Sequence, residues 1–389
     1  MRCVAGLRHT AMVISLSLWK AKALGACLGA ALSLGATTGH ADEAPLHLVI
    51  SLSEQTLSVY RGAEHVDDKP VSTGRAGFTT PTGSFTILEQ RRWHRSNLYD
   101  DAPMPFMQRL TWSGIALHAG ALPGYPASHG CVRLRETHAQ ALFRIARRGD
   151  HVTIVADDAR PARFVHPALP REGERPQAPE EPTAAYAGAA SNPGDEAASQ
   201  SPLRILLTLA DPVDRVRETQ RLLAALGHDP GPIDGLMGRM TGAAIGAFQR
   251  AHGVPETRSL SDALLTALRE AAGEPEPSRG RLFVRRDFRP LFDAPVEIAD
   301  HETPLGTHVL LYAGREPDTG EAIWTATSAD AGVETSPAQA LSRFALPEAL
   351  LERLGRSLRL GSSLVVTDRG FGRDSGRLGG DFIVPTVSR

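Results

Sequence analysis

A cysteine, Cys131, stands in the string Ser128-His129-Gly130-Cys131-Val132-Arg133, and a histidine, His118, lies thirteen residues before it in Ile115-Ala116-Leu117-His118-Ala119-Gly120. A thiol is a weak nucleophile until it loses its proton. A neighbouring imidazole can take that proton and deliver it to a leaving group. Gly130 would let a substrate approach the backbone closely, and the amides around Gly130 and Cys131 offer an oxyanion hole. Arg133 can orient a carboxylate or tie down the loop. Taken one at a time, the same residues read more readily as a small buried thiol, a hydrogen-bonded core imidazole and a turn glycine. His118, His129, Cys131 and His138 would also suit zinc, but the close ligand pairs typical of zinc sites are missing, so no metal and no cofactor is expected.

The elements that must position these residues begin after an N-terminal export signal. Arg2, Arg8, His9, Lys20 and Lys22 precede an uncharged, small and apolar run from Ala23 to about Thr38, which closes on Gly39-His40-Ala41 and is followed by Asp42-Glu43. This is the order of a secretory signal, 1–41, with cleavage expected after Ala41. An uncleaved anchor, a start at Met12 and a lipid-carrying Cys27 are the alternatives, the last disfavoured because most of the apolar run follows that cysteine. Removing the signal takes Cys3 and Cys27 with it, so Cys131 has no disulfide partner and reactivity becomes its natural use in an exported protein.

The length of 389 residues suggests two to three domains, and the formal charge of −2 gives no reason to expect nucleic-acid binding. Membrane attachment is expected only through an uncleaved signal. Apolar alternation at Leu48, Ile50 and Leu52, then Leu57 and Val59, with Ser53-Glu54-Gln55 as a hairpin turn, makes 44–157 a mainly β segment. Residues 158–203 carry Pro161, Pro167, Pro170, Pro176, Pro179, Pro182 and Pro193 among Ala, Glu and Gly, the composition of an extended linker.

Helical spacing follows in 204–275. Val216, Leu222, Leu223 and Leu226 share one face, then Ile245, Phe248 and Gln249, then Leu260, Leu264, Leu265 and Leu268, which fits three short helices. Residues 276–389 alternate strand-like runs such as Leu282-Phe283-Val284, Val309-Leu310-Leu311, Ser363-Leu364-Val365-Val366 and Phe382-Ile383-Val384 with a helix-like stretch from Pro347 to Leu354, as in an α+β domain. The run Gly370-Phe371-Gly372-Arg373-Asp374-Ser375-Gly376-Arg377 does not have Walker spacing.

The whole string Ser-His-Gly-Cys-Val-Arg, with a histidine upstream on a strand, resembles the signature of the YkuD-type L,D-transpeptidases. Val71-Ser72-Thr73-Gly74 followed by Thr80-Pro81-Thr82-Gly83-Ser84-Phe85 is similar to that family's second landmark. Together these cover about Leu46 to Val155. The resemblance implies a YkuD-like β-sandwich in which Cys131 attacks the diaminopimelate carbonyl of a peptidoglycan tetrapeptide, D-alanine leaves, and an amine resolves the acyl-enzyme as a 3→3 cross-link. It implies His118 as general base and acid, Ser128, His129 and Gly130 as the catalytic loop and oxyanion region, and Arg133 as a substrate contact. Ala119 stands where the family often has Gly or Ser; a backbone carbonyl can serve as third member of the triad there. Attachment of a protein to peptidoglycan, hydrolysis, and a catalytically silent wall-binding scaffold are the alternatives.

A second resemblance lies in Gln220-Arg221-Leu222-Leu223, Gly231-Pro232-Ile233-Asp234-Gly235-Leu236-Met237-Gly238, Thr241 and Ala247-Phe248-Gln249, which look like the three-helix peptidoglycan-binding module attached to wall enzymes. It implies stem peptides and the sacculus as partners and the periplasm or cell envelope as the location.

Overall fold

The computed structural model describes residues 44–98, 101–173, 201–209, 212–274, 279–330, 332–369 and 380–386. The expected signal and the Gly-rich run 370–377 lie outside them.

The first sheet begins with β1 (Leu46–Ser51) and β2 (Thr56–Arg61), joined at the expected Ser53-Glu54-Gln55 turn with Ser51 opposite Thr56. They are followed by β3 (Glu64–Ser72), β4 (Gly83–Thr86), β5 (Glu89–Arg91), β6 (Met107–Arg109), β7 (Ala116–Ala119), β8 (Val132–Leu134), helix α1 (Glu136–Ile145) and β9 (His151–Val155). The hydrogen-bonded order is β4-β9-β1-β2-β3-β8-β7-β6-β5. Leu48, Ile50, Phe85 and Val152 from one end of this order share a buried core with Leu110, Leu117 and Val132 from the other, so the sheet curls over its own apolar face. A mainly β domain with a sandwich-like core is the result, as the alternation predicts.

A second, eight-stranded sheet carries the rest of the chain. Its strands are β10 (Ala162–Phe164), β11 (Arg204–Leu209), β12 (Gly280–Arg286), β13 (Arg289–Ile298), β14 (His308–Arg315), β15 (Ala322–Ser328), β16 (Phe344–Ala345) and β17 (Ser363–Thr367). Between β11 and β12 come helices α2 (Pro212–Ala225), α3 (Arg239–Ala251) and α4 (Asp262–Ala272), which close on Leu222, Leu223, Ile245, Phe248, Leu264, Leu265 and Leu268, the faces read from the sequence. Helices α5 (Pro337–Ser342) and α6 (Glu348–Arg356) pack Leu341, Leu350 and Leu354 onto the sheet, giving the expected α+β domain.

The strand pairing corrects three of the expected limits. Residues 158–173 are not all linker, because Ala162–Phe164 pair with Trp324–Ala326 of β15 and Leu169 enters the core of the second sheet. Proline content says that a segment cannot fold alone; it does not say that another sheet cannot recruit it as an edge. Arg204–Leu209 belong to the second sheet and not to the helical module, pairing with β12 and, in parallel, with β17. The module is therefore an insertion whose entry and exit lie side by side, Leu209 opposite Gly280. Finally, the expected terminal strand does not join the second sheet: β18 (Val384–Pro385) pairs with Ser84 and Gly83 of β4 and becomes the edge of the first, ten-stranded sheet.

Candidate active site

His118 and Cys131 come to line one cleft because β7 and β8 are parallel neighbours, with Leu117 opposite Val132 and His118 opposite Arg133. Side chains alternate along a strand, so Leu117 and Ala119 go into the core and His118 to the other face. There it lines a cleft of about 500 Å³ together with Ser128, His129, Cys131, Arg133 and Glu136.

The imidazole is only 8% exposed. Its Nδ1 lies 2.8 Å from the Ala119 carbonyl oxygen, which can only accept, so Nδ1 carries the proton and Nε2 of the neutral ring keeps its lone pair. Burial is the main reason its pKa is lowered from the ordinary 6.5 to about 4; the Ala119 bond works against that shift and the positive charge of Arg133 adds to it. Cys131 donates from Sγ to the Gly114 carbonyl at 3.4 Å, and burial pushes its thiol up, opposed by backbone hydrogen bonding and by Arg133 and Arg109. At neutral pH the resting pair is thus neutral thiol and neutral imidazole.

The loop before Cys131 is held from within and from behind. Ser128 Oγ donates to the Cys131 carbonyl at 2.5 Å and accepts from the Gly130 N–H at 3.0 Å. Gly130 has φ +110°, a backbone conformation that any side chain would strain. Its carbonyl accepts from Thr80 Oγ1 at 2.8 Å, and the same hydroxyl accepts from the Gly74 N–H at 2.8 Å. The second landmark is therefore the rear support of the loop that leads into Cys131. In this arrangement the Gly130 N–H is engaged by Ser128 Oγ, and its φ shapes the loop.

His129, which also lines the cleft, has partners of its own. Arg75 donates to its Nε2 at 2.8 Å, and Phe78 meets it edge-on with ring centroids 4.7 Å apart. The four residues of the zinc alternative do not gather; among the described residues no three His, Cys, Asp or Glu side chains converge as a metal site. Thr80, Gly114 and Glu136 were not singled out from the sequence. Thr80 sits inside the second landmark, whereas Gly114 acts through a backbone carbonyl, which residue type does not reveal.

Residues 45–154 match the family model of the L,D-transpeptidase catalytic domain, and residues 212–268 that of a putative peptidoglycan binding domain. Residues 45–154 thus resemble a YkuD L,D-transpeptidase catalytic domain, and the module inserted between β11 and β12 resembles a peptidoglycan-binding domain. L,D-transpeptidase 1 of Mycobacterium tuberculosis is 31% identical over 123 residues, 28% of this chain and 49% of that one. A putative OxPP cycle protein OpcA of Nostoc punctiforme is 51% identical over 53 residues, 14% of this chain and 11% of its own. The chain thus spans about half the length of the curated transpeptidase that it matches, and much less of the OpcA protein. Among solved structures, an L,D-transpeptidase from Mycobacterium smegmatis aligns at 24% identity and TM-score 0.28 over 29% of this chain and 59% of that one. An L,D-transpeptidase 1 from Mycobacterium tuberculosis aligns at 28% identity and TM-score 0.26 over 29% and 62%.

Proposed function

We propose that the protein is a cysteine-dependent peptidoglycan L,D-transpeptidase of the cell envelope. The observation that carries this is the bond from His118 Nδ1 to the Ala119 carbonyl, because it fixes the tautomer whose Nε2 can accept a proton in the cleft that Cys131 shares. In the first half-reaction Nε2 takes the thiol proton as Sγ bonds to the carbonyl carbon of the third stem residue, diaminopimelate. The Cys131 amide is the remaining loop donor for the oxyanion. On collapse the C–N bond to D-alanine breaks and the imidazolium returns its proton to the departing amine. In the second half the side-chain amine of another diaminopimelate attacks the thioester, His118 takes the amine's proton, and the thiolate recovers it as the 3→3 link forms. The Arg133 charge favours the thiolate and disfavours the imidazolium, so it eases removal of the first proton while keeping His118 a ready donor.

Incubation with a defined disaccharide-tetrapeptide, read by mass, tests the reading. D-Alanine release with a cross-linked dimer supports it. Release with a tripeptide product alone would make the protein a hydrolase, and no release would sink the proposal.

The base has its own signature. His118→Ala is expected to slow acylation by about 10²-fold or more. His129→Ala should act through the Arg75–His129–Phe78 cluster and leave the pH profile in place. In the wild type, acylation should rise with pH through an apparent value near 4, the imidazole being protonated below it. The same shift affects folding. His118 sits below its unfolded value, so its contribution is complete above about pH 6.5 and is lost as pH falls toward 4, about 3 kcal/mol in all. An acid limb centred near pH 6.5, or one that moves in His129→Ala, would overturn the assignment.

We assign sacculus binding to the helical module, which would raise the local concentration of the active site on an insoluble substrate. Since Leu209 and Gly280 are paired neighbours, residues 210–279 can be replaced by a two-residue Asn-Gly hairpin turn without cutting the second sheet. The shortened protein should keep its rate on soluble muropeptides and lose sedimentation with sacculi. Undiminished sedimentation would remove the targeting role.

A further inference from the structure

Among the described residues that line the active-site cleft, two carry a full charge, Arg133 and Glu136. Arg133 is half-buried on β8, alongside His118, and Glu136 is exposed in the first turn of α1. Neither forms a side-chain hydrogen bond or ion pair with any described residue, and they do not pair with each other, although most charged side chains around the domain do find partners, such as Arg109 with Glu89 at 2.9 Å. The Arg133 charge reaches both Cys131 and His118. A cation and an anion lining one cleft without a bond between them suit a ligand that carries both charges on neighbouring atoms. Resting on the transpeptidase reading, such a ligand is at hand: the side chain of the donor's diaminopimelate ends in one carbon bearing both an ammonium and a carboxylate.

We propose that Arg133 and Glu136 together select the zwitterionic end of the donor's third residue, Arg133 taking the carboxylate and Glu136 the ammonium. Glu136 is then a specificity residue and not only a favourable charge at a helix start. The pair would reject stems whose third residue has a neutral carboxamide, or a simple amine with no carboxylate beside it.

Binding decides this apart from turnover. In the Cys131→Ala protein, calorimetry compares three soluble disaccharide-tetrapeptides: one with unmodified meso-diaminopimelate, one with its side-chain carboxylate amidated, and one with its side-chain amine acetylated. Each modification is expected to weaken binding about tenfold, the loss of one charge-assisted contact. Adding Glu136→Gln should erase the penalty for acetylation and keep that for amidation; adding Arg133→Gln should do the reverse. A merely structural role for Glu136 would lower thermal stability and leave both ratios unchanged, and that result, equal weakening of all three peptides, or no measurable binding of any, overturns the proposal. Failure of the wild type to release D-alanine would instead sink the transpeptidase reading, while the binding ratios still report on the charge pair.

Discussion

Cys131→Ala is expected to abolish D-alanine release and the covalent acyl-enzyme while leaving the fold in place. The thiol packs beside Met104, Met107 and Ala116 and donates one long bond to Gly114. Replacing it by a methyl group loses little packing and no strong hydrogen bond, so stability should change by no more than about 1 kcal/mol. Chemistry is expected to lose everything, because the thiol is the nucleophile of the proposed reaction and the hydroxyl nearest to it in sequence, Ser128 Oγ, is committed to the Cys131 carbonyl and the Gly130 amide. Mass spectrometry of the intact protein after incubation with tetrapeptide should show an adduct in the wild type and none in the variant. Wild-type release of D-alanine by the variant would remove Cys131 from its role.

Deleting residues 380–389 is expected to unfold the catalytic domain or nearly so. Ile383 belongs to that domain's core, while Phe382 and Val384 pack with Leu206, Val309, Leu311 and Val365 of the second sheet. The segment thus fills the space between the sheets from both sides. Thr386 N–H donates to the Thr82 carbonyl at 2.9 Å, the two threonine hydroxyls are 2.6 Å apart, and a Cβ on Gly83 would lie 2.1 Å from the Val384 carbonyl. Asp381 accepts from Arg204 at 3.2 Å, and both side chains are almost fully buried.

Losing three large apolar side chains costs about 1.5–3 kcal/mol each, and leaving the Arg204 guanidinium buried without its carboxylate costs about 3–5 kcal/mol more. The sum is comparable to the whole stability of a typical domain, about 5–15 kcal/mol. A fragment ending at Asp158 loses the same segment and should fail for the same reason. Ile383→Ala, a milder change, should cost about 2–5 kcal/mol in urea unfolding and remain folded. If the 44–158 fragment matched the full chain in stability and in turnover of soluble muropeptides, the strap would be dispensable.

What the sequence by itself determined is what depends on neighbours along the chain. The spacing of Leu222, Leu223, Ile245, Phe248, Leu264 and Leu268 gave three helices and their buried faces, because a helix repeats every 3.6 residues and its apolar stripe is written into that period. The alternation around Leu48, Ile50, Leu57 and Val59 gave the first hairpin and its core face for the corresponding reason in a strand. Cys131, His118 and the two landmark loops were legible as candidates because residue type and order are what suggest a nucleophile and its base.

Tertiary structure decided the partners. A strand signal states which face is apolar but leaves open which edge it will join, so Phe382-Ile383-Val384 could be read as strand-like and not as the edge of a sheet formed some 300 residues earlier, where Thr82 meets Thr386 across a separation of 304. The same ambiguity hid β10 in a proline-rich stretch and β11 in front of the helical module. In the site, residue types suggested a thiol and an imidazole, but only the parallel pairing of β7 with β8 put them in one cleft, and only the Ala119 carbonyl fixed the proton on Nδ1. Glu136 reads in sequence as an ordinary acid at a helix start; the fold makes it line the same cleft as Arg133 and leaves both without a partner among the described residues, and that shared lining is a property of three dimensions alone.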